Sequence, residues 1–243
     1  MTQDLHVRRL WRHRGTTVPA PRRGPQGTLD LDEILAAAIA LADAGGLAAV
    51  STRAVAARFG KTPMALYAYV GSKENLLALM QDHASALPSW DDPGPALADD
   101  LLAWANAFFD LHLTHPWLLS RGWARHTQGP NEQDWMERLL AILAPLPAPA
   151  PVVTTLYATV RATAETAAAY RDLTPADAEQ WCARASATRH LIPDFADRYP
   201  RSAALAVSAT ADWTDAPRAG LADVVRLIAA AASPEQGSRI LPA

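Results

Sequence analysis

The sequence predicts an all-α protein in which a small N-terminal domain of three helices precedes a larger helical domain. Half of the 243 residues are hydrophobic, alanine is abundant, and runs of β-branched residues are scarce. This composition favours helices. Apolar residues recur at helical spacing, as at Ile34, Leu35, Ala38 and Leu41, and glycine or proline separates such segments. The length is sufficient for a sizeable core in one large or two modest domains.

Charge is distributed unevenly along the chain. Residues 1–75 hold ten Lys or Arg against six Asp or Glu, and the remainder holds twelve against nineteen, within a net charge of −3. A basic N-terminal part on an acidic body indicates that only the basic part meets a polyanion. A random fluctuation is the alternative interpretation.

The composition also bears on the compartment. The longest apolar runs are far shorter than the ~20 residues of a membrane span. Arginines interrupt the N-terminus where a signal peptide would be apolar. Cys182 is the only cysteine, which excludes an internal disulfide and suits a reducing compartment. We therefore expect a cytoplasmic protein without membrane contact.

Residues 1–27 are interpreted as a flexible basic arm. They contain six arginines, with proline and glycine near the end and no sustained apolar period. Such an arm can enter a DNA minor groove or lie along phosphates. A leader without any role is the alternative.

Residues 28–86 are predicted to form a helix-turn-helix domain. Asp30 caps the first helix, which Gly45 and Gly46 end. Ser51 caps a second helix, and Gly60 makes the tight turn before a third helix at about 62–69. Short helices joined by a glycine turn are typical of this motif.

A fourth helix is expected from Lys73 to about residue 86, and prolines then mark the start of a second domain at 87–243. Further helices are expected near 96–114, 116–125, 131–144, 152–171, 175–191, 202–213 and 218–232. The proline-rich segment 144–151 is interpreted as a rigid surface loop.

The stretch from residue 46 to residue 77 resembles the DNA-binding region of TetR-type (tetracycline-repressor-like) regulators. The matching residues are Gly46-Leu47-Ala48-Ala49-Val50-Ser51-Thr52-Arg53-Ala54-Val55-Ala56, Phe59-Gly60, Pro63-Met64-Ala65-Leu66-Tyr67-Ala68-Tyr69-Val70 and Ser72-Lys73-Glu74-Asn75-Leu76-Leu77. His115-Pro116-Trp117 and Gly220-Leu221 resemble pieces of one branch of that family. The resemblance implies a DNA-binding domain followed by a ligand-binding and dimerisation domain.

The resemblance also implies which residues meet operator DNA. They lie at the start of the second helix, in the turn, on the third helix and at the start of the fourth: Thr52, Arg53, Lys61, Thr62, Met64, Ala65, Tyr67, Tyr69 and Lys73. The outward positions of the third helix lack the Arg, Asn or Gln that would make bidentate base contacts. Specificity is therefore expected from thymine methyl contacts, Lys61, the arm or DNA shape.

Aromatic residues of the second domain are candidates to line a cavity for a small-molecule effector that is partly apolar or aromatic. The candidates are Trp104, Phe108, Trp117, Trp123, Trp135, Tyr157 and Trp181, with Arg161 and Glu165, spaced i,i+4, as a polar anchor. Ordinary core packing for the aromatic residues and a surface pair for Arg161 and Glu165 are the alternatives.

The helices at 152–171 and 218–232 each carry one apolar stripe, which predicts a four-helix bundle between two subunits. Packing of these helices within one subunit is the rival interpretation. We expect a homodimeric repressor that a small molecule releases from a palindromic operator.

No catalytic residues, metal site or cofactor are predicted. His112 and His115 are three residues apart, but no further ligand completes a metal set. An all-helical enzyme, or an interaction module with a vestigial DNA-binding domain, is the alternative function.

Overall fold

The computed structural model describes residues 3–18, 29–90, 92–94, 96–122, 126–208 and 215–232. All regular structure in these ranges is helical, and the chain is an all-α protein with an N-terminal helix-turn-helix and a larger helical C-terminal domain. The helices are α1 (Gln3–Leu10), α2 (Leu31–Ala49), α3 (Thr52–Arg58), α4 (Pro63–Val70), α5 (Lys73–Ala84), α6 (Leu97–Thr114), a 3-10 helix (Pro116–Ser120), α7 (Pro130–Ile142), α8 (Pro149–Arg171), α9 (Pro175–Leu191), α10 (Phe195–Arg198), α11 (Pro200–Ser208) and α12 (Ala216–Ala232).

Helices α2 to α5, which we call the head, begin where the sequence supplies a capping side chain. The Asp30 carboxylate accepts from two first-turn amides, and Ser51, Thr62 and Ser72 each accept from the amide three residues further on. Gly46 adopts φ +67° and breaks α2 before its last residues. The helix-turn-helix therefore forms where the sequence predicts it.

The head has its own hydrophobic core, to which segments outside the head contribute. Ile34, Val55 and Leu66 are fully buried there. Leu10 from α1 and Trp117 from the 3-10 helix complete the same cluster. The 3-10 helix of the C-terminal domain therefore packs directly against the head.

The N-terminal segment is not the irregular arm that the sequence analysis expected. Gln3–Leu10 is a helix, followed by a turn over residues 11–15. Arg9 and Leu10 are each only 3% exposed, because both pack against the head. The arginine-rich composition obscured this apolar contact. Arg22 and Arg23 lie outside the described residues.

A second core lies in the C-terminal domain, between α6, α7, α8 and α12. Leu221 and Val225 of α12 are buried in this core, against helices of the same chain. Part of the apolar stripe that was assigned to a subunit interface therefore packs within the chain. Val224 and Leu227 on the same helix remain 38% and 70% exposed.

Several boundaries differ from the expectations. The segment expected as a helix at 116–125 is a short 3-10 helix ending at Ser120, and α8 already begins at Pro149 within the expected loop. Helices α9 and α10 bury no residue in the chain. Among the described helices, none combines the length and the apolar character that crossing a membrane requires.

Candidate DNA-binding surface and ligand cavity

The third helix of the predicted motif, α4, has one buried and one exposed face. Leu66 and Val70 are fully buried in the head core, whereas Met64 is 75% exposed. Lys61 and Thr62 immediately before α4 are exposed as well. Two anchors one turn apart therefore orient the helix and leave its other face open to a partner.

The remaining candidate residues lie on this helix or flank it. Arg53 on α3 and Lys73 on α5 are exposed, and Ala65 is partly exposed. The hydroxyl oxygens of Thr52 and Tyr67 lie 3.4 Å apart, which places the start of α3 beside α4. The phosphate contacts proposed for these side chains are compatible with their exposure.

Tyr69 has a structural contact that the sequence reasoning missed. Its ring packs against the head core, and its hydroxyl accepts a hydrogen bond of 3.2 Å from the Leu29 amide. Tyr69 therefore fixes the chain where it enters α2. Leu29 and Tyr69 are 40 residues apart, and no local sequence pattern indicates that they meet.

A cavity of about 60 Å³ lies between the head and the C-terminal domain, where α5 meets α6, α7, α8 and the end of the 3-10 helix. Its lining residues are Gln81, Asp82, Ser85, Phe108, Leu111, His112, Leu118, Arg121, Gly122, Thr127, Glu132, Trp135, Met136, Tyr157 and Arg161. Because α5 also belongs to the head core, one helix borders both the cavity and the DNA-binding domain.

Four of the predicted aromatic residues form one cluster. Phe108 lies 5.0 Å from Tyr157 and 5.1 Å from Trp135 between ring centroids, and all three line the cavity. Trp104 stacks on Phe108 from behind at 5.1 Å and is fully buried. Phe108, Trp135 and Tyr157 thus give the cavity an aromatic wall, whereas Trp104 lies in the core and does not line the cavity.

The structure separates the other candidates from the cavity. Trp117 packs in the head core, where its indole N–H donates to Asp43 over 2.8 Å. Trp181 is 57% exposed on α9, and Glu165 is exposed on α8. Trp123 lies outside the described residues. Spacing along the sequence did not reveal on which side of each helix the cavity would form.

Arg161 anchors one polar wall of the cavity. Its guanidinium donates to the carbonyls of Leu119 and Arg121 at 3.1 and 2.9 Å, and to His112 Nε2 at 3.1 Å. The Nδ1 of His112 lies 2.7 Å from the Phe108 carbonyl, so Nδ1 carries the proton and Nε2 accepts. Burial lowers the pKa of His112 to about 4, which keeps this ring neutral at pH 7.

The cavity is also lined by an acidic residue that the sequence analysis missed. Asp82 on α5 is 4% exposed, and its Oδ1 accepts from the amides of Asn131 and Glu132 at 3.1 and 3.2 Å. Burial raises the pKa of Asp82 to about 6. Asp82 follows the buried Leu79 by three positions, and this helical spacing on an apolar face was the available signal.

Comparison with known proteins agrees with this architecture. Residues 34–80 match the family model of bacterial regulatory proteins of the tetR family. The HTH-type transcriptional repressor DrrR1 of Streptomyces coeruleorubidus is 41% identical over 132 residues, which are 52% of this chain and 47% of the repressor. The chain thus spans about half the length of the curated relatives it matches.

Similarity to solved structures extends over most of the chain. The structure of ActR from Streptomyces coelicolor without ligand has a TM-score of 0.70 and 25% identity, and covers 86% of this chain and 98% of ActR. ActR in complex with (S)-DNPA has a TM-score of 0.69 and 25% identity, and covers 85% of this chain and 100% of that one. The helix-turn-helix of this chain thus matches the tetR family of bacterial regulatory proteins, and its overall fold is similar to that of ActR.

Proposed function

We propose that this protein is a homodimeric repressor whose heads bind a pseudo-palindromic operator and which a small molecule in the cavity releases from DNA. The observation that carries the proposal is the position of α5, which packs in the head core and also borders the cavity. A ligand that displaces α5 would therefore change the orientation of the head. DNA binding would place the protein in the cytoplasm, and we assign it no enzymatic activity.

Exposure and charge support the DNA-binding part. Each head presents Arg53, Lys61 and Lys73 to solvent around α4. Lys73 opens α5, where the helix N-terminus also attracts phosphate. Two heads would contact successive major grooves, roughly 34–36 Å apart. Phosphate contacts would supply most of the affinity, and α4 would lie in the groove.

The size of the cavity indicates how a ligand would act. Its volume of about 60 Å³ corresponds to roughly two water molecules, far below the ~300 Å³ at which typical ligand pockets begin. Binding therefore requires α5 and the 3-10 helix to separate from α8. The compact state described above would be the DNA-binding state, and the ligand would select an expanded one.

The walls of the cavity suggest the chemistry of the ligand. Phe108, Trp135 and Tyr157 offer aromatic surfaces, while Asp82 on α5 and Arg161 on α8 add polar groups to the lining. These groups suit an aromatic molecule that carries polar substituents. ActR, whose fold is similar, binds (S)-DNPA in a crystal.

A surface on α8 and α12 supports the proposed dimer. A shallow groove between the two helices is lined by mostly small residues, together with Leu221 and Val224: Ala162, Thr163, Thr166, Pro217, Gly220, Leu221 and Val224. Val224 and Leu227 are the exposed apolar side chains beside it. Helices of a second copy can approach closely over such small side chains.

A gel-shift experiment with DNA from upstream of the gene tests this function. We expect the full chain to shift the fragment and the variant carrying Tyr67→Ala and Lys73→Ala to lose the shift, with its helix content and dimeric state unchanged. Arg198→Ala, which removes an exposed charge on α10, is the matched control and should shift the fragment normally. Normal binding by the double variant would refute the assigned contact surface.

A further inference from the structure

We propose that the N-terminal segment 3–15 is a clasp that couples the reading helix α4 to the ligand cavity. Arg9 holds the head end of this clasp, and Trp11 with Arg14 hold its end in the C-terminal domain. The inference rests on the proposed function, because it concerns how occupancy of the cavity changes DNA binding.

The clasp contacts the reading helix at its C-terminal end. Arg9 is 3% exposed, and its guanidinium donates to the Ala68 carbonyl over 2.7 Å. Because α4 ends at Val70, this carbonyl is one of the last four, which lack a partner within the helix. A positive charge is favoured there by the helix dipole. The Arg9 charge therefore positions α4 instead of binding phosphate.

A second set of contacts fixes the clasp to the first helix of the head. Arg12 forms an ion pair with Asp32 in the first turn of α2, and His13 contacts the same carboxylate at 2.9 Å. Leu10 is buried in the head core. These contacts make α1, α2 and α4 move together as one body.

The other end of the clasp contacts the C-terminal domain. The Trp11 indole N–H donates to the Gln128 carbonyl over 2.9 Å, and Arg14 pairs with Asp134 on α7. Gln128 has φ +59°, a conformation that residues other than glycine seldom adopt. The Glu132 carboxylate stabilises this conformation of Gln128, because it accepts a hydrogen bond of 2.9 Å from the Gln128 amide.

The contacts of Gln128 lead directly to the cavity. Thr127 and Glu132, on either side of Gln128 in this network, both line it. The Glu132 carboxylate also accepts from the Thr127 amide and hydroxyl, each over 2.6 Å. A molecule that displaces Thr127 or Glu132 must move the Gln128 carbonyl and so disturb Trp11. The clasp would carry this displacement to Ala68 in α4.

A glycine at this junction provides a substitute for the unidentified ligand. A Cβ at Gly129 would clash with the Asp82 carboxylate, so Gly129→Ala separates this carboxylate on α5 from the 127–132 segment that it bonds. Trp11→Phe keeps an aromatic ring but removes the indole donor, and Arg14→Gln removes the ion pair with Asp134. Arg8→Gln is the matched control, because Arg8 is exposed on the same helix and bonds only weakly to Thr17.

The experiment measures binding of the full-length chain to a duplex that the wild-type protein has selected from random-sequence DNA. We expect Gly129→Ala to weaken binding about tenfold in the wild-type and Arg8→Gln backgrounds, a typical coupling between two sites. In the Trp11→Phe/Arg14→Gln background the same change should weaken binding less than about twofold.

Equal weakening in all backgrounds, or none in the wild type, would overturn the clasp while leaving DNA binding established. Failure of the wild-type chain to select any duplex would instead refute the proposed function. Amide hydrogen exchange provides a second measurement that does not depend on Gly129→Ala. We expect Arg9→Gln, but not Arg8→Gln, to speed exchange in α4, and unchanged exchange would contradict the role of Arg9.

Discussion

The helices of the head and the helices of the C-terminal domain that line the cavity are capped in different ways. In the head, α2 to α5 begin at residues whose own side chains bond first-turn amides, as Ser51 does over 3.0 Å. Helices α6, α7 and α8 begin at residues that make no such bond, and α7 is capped by Asp82 from 49 residues away. The head thus depends on local interactions, and the cavity on contacts between distant segments.

Polar side chains differ between the two regions in the same way. Arg53, Lys61 and Lys73 of the head are exposed, so that each can be replaced without leaving a buried group unpaired. In the cavity, Arg161 and His112 are bonded to each other and to backbone carbonyls. Replacing Arg161 or His112 therefore leaves its buried hydrogen-bond partners unpaired. Substitutions should therefore alter binding in the head and stability in the cavity.

We expect the largest loss of stability when Arg161 is replaced. Replacing Arg161 by Met removes the hydrogen bonds that its charged guanidinium donates to two carbonyls and to His112. Because these acceptors lose their donor, the unfolding free energy should fall by about 3 kcal/mol. Glu165→Gln, on the exposed side of the same helix, should change it by less than about 0.5 kcal/mol. Urea denaturation measures both, and equal stability of the two variants would remove the distinction.

The pH dependence of stability isolates the two buried titrating groups. Burial raises the pKa of Asp82 to about 6 from its ordinary 3.8. The stability that Asp82 contributes is therefore fully present below pH 3.8, and it is lost as the pH rises through about 6. Burial lowers the pKa of His112 to about 4 from 6.5. The stability that His112 contributes is therefore fully present above pH 6.5, and it is lost as the pH falls through about 4. The two contributions oppose each other, each by roughly 3 kcal/mol at most.

Variants that remove one group at a time should reveal the opposed slopes. Compared with the wild type, His112→Gln should lose stability as pH rises across the window set by these pKa values, and Asp82→Asn should gain it. Denaturation at both ends of the window provides the measurement. Parallel curves for all three proteins would show that neither group titrates in the folded state as described.

A smaller effect is expected from the local caps of the head. Ser51→Ala removes the acceptor for the Ala54 amide and should lower the unfolding free energy by about 1 kcal/mol. The loss should not depend on pH, because no titrating group takes part. Thermal unfolding at two pH values checks this. A loss as large as that of Arg161→Met would mean that local caps and buried networks contribute alike.

This difference explains what the sequence could predict. Asp30, Ser51, Gly60 and Ser72 act within a few residues of their position, so the helix-turn-helix could be placed closely. Phe108, Trp135 and Tyr157 were among the aromatic candidates that the sequence analysis named, but the sequence did not distinguish them from Trp104, which is buried in the core.

The remaining features depend on segments that are far apart in sequence. The burial of Arg9 requires the Ala68 carbonyl, 59 residues away, and no local pattern indicates that contact. Asp82 meets α7 only after both domains have folded. Trp117 was expected to line the cavity, but it packs in the head core, where its partner Asp43 lies. Such residues could be identified only from the packed structure.

The salt dependence of DNA binding tests the central claim most directly. If Arg53, Lys61 and Lys73 of each of two heads contact phosphates, log affinity should fall with log salt with a slope of about −5. Lys73→Ala should reduce the steepness by about 2 in the dimer and leave folding intact. We predict a slope of about −5 for the wild-type protein and a less steep one for Lys73→Ala. A flat response, or one that Lys73→Ala leaves unchanged, would contradict the claim that the head binds DNA through this surface.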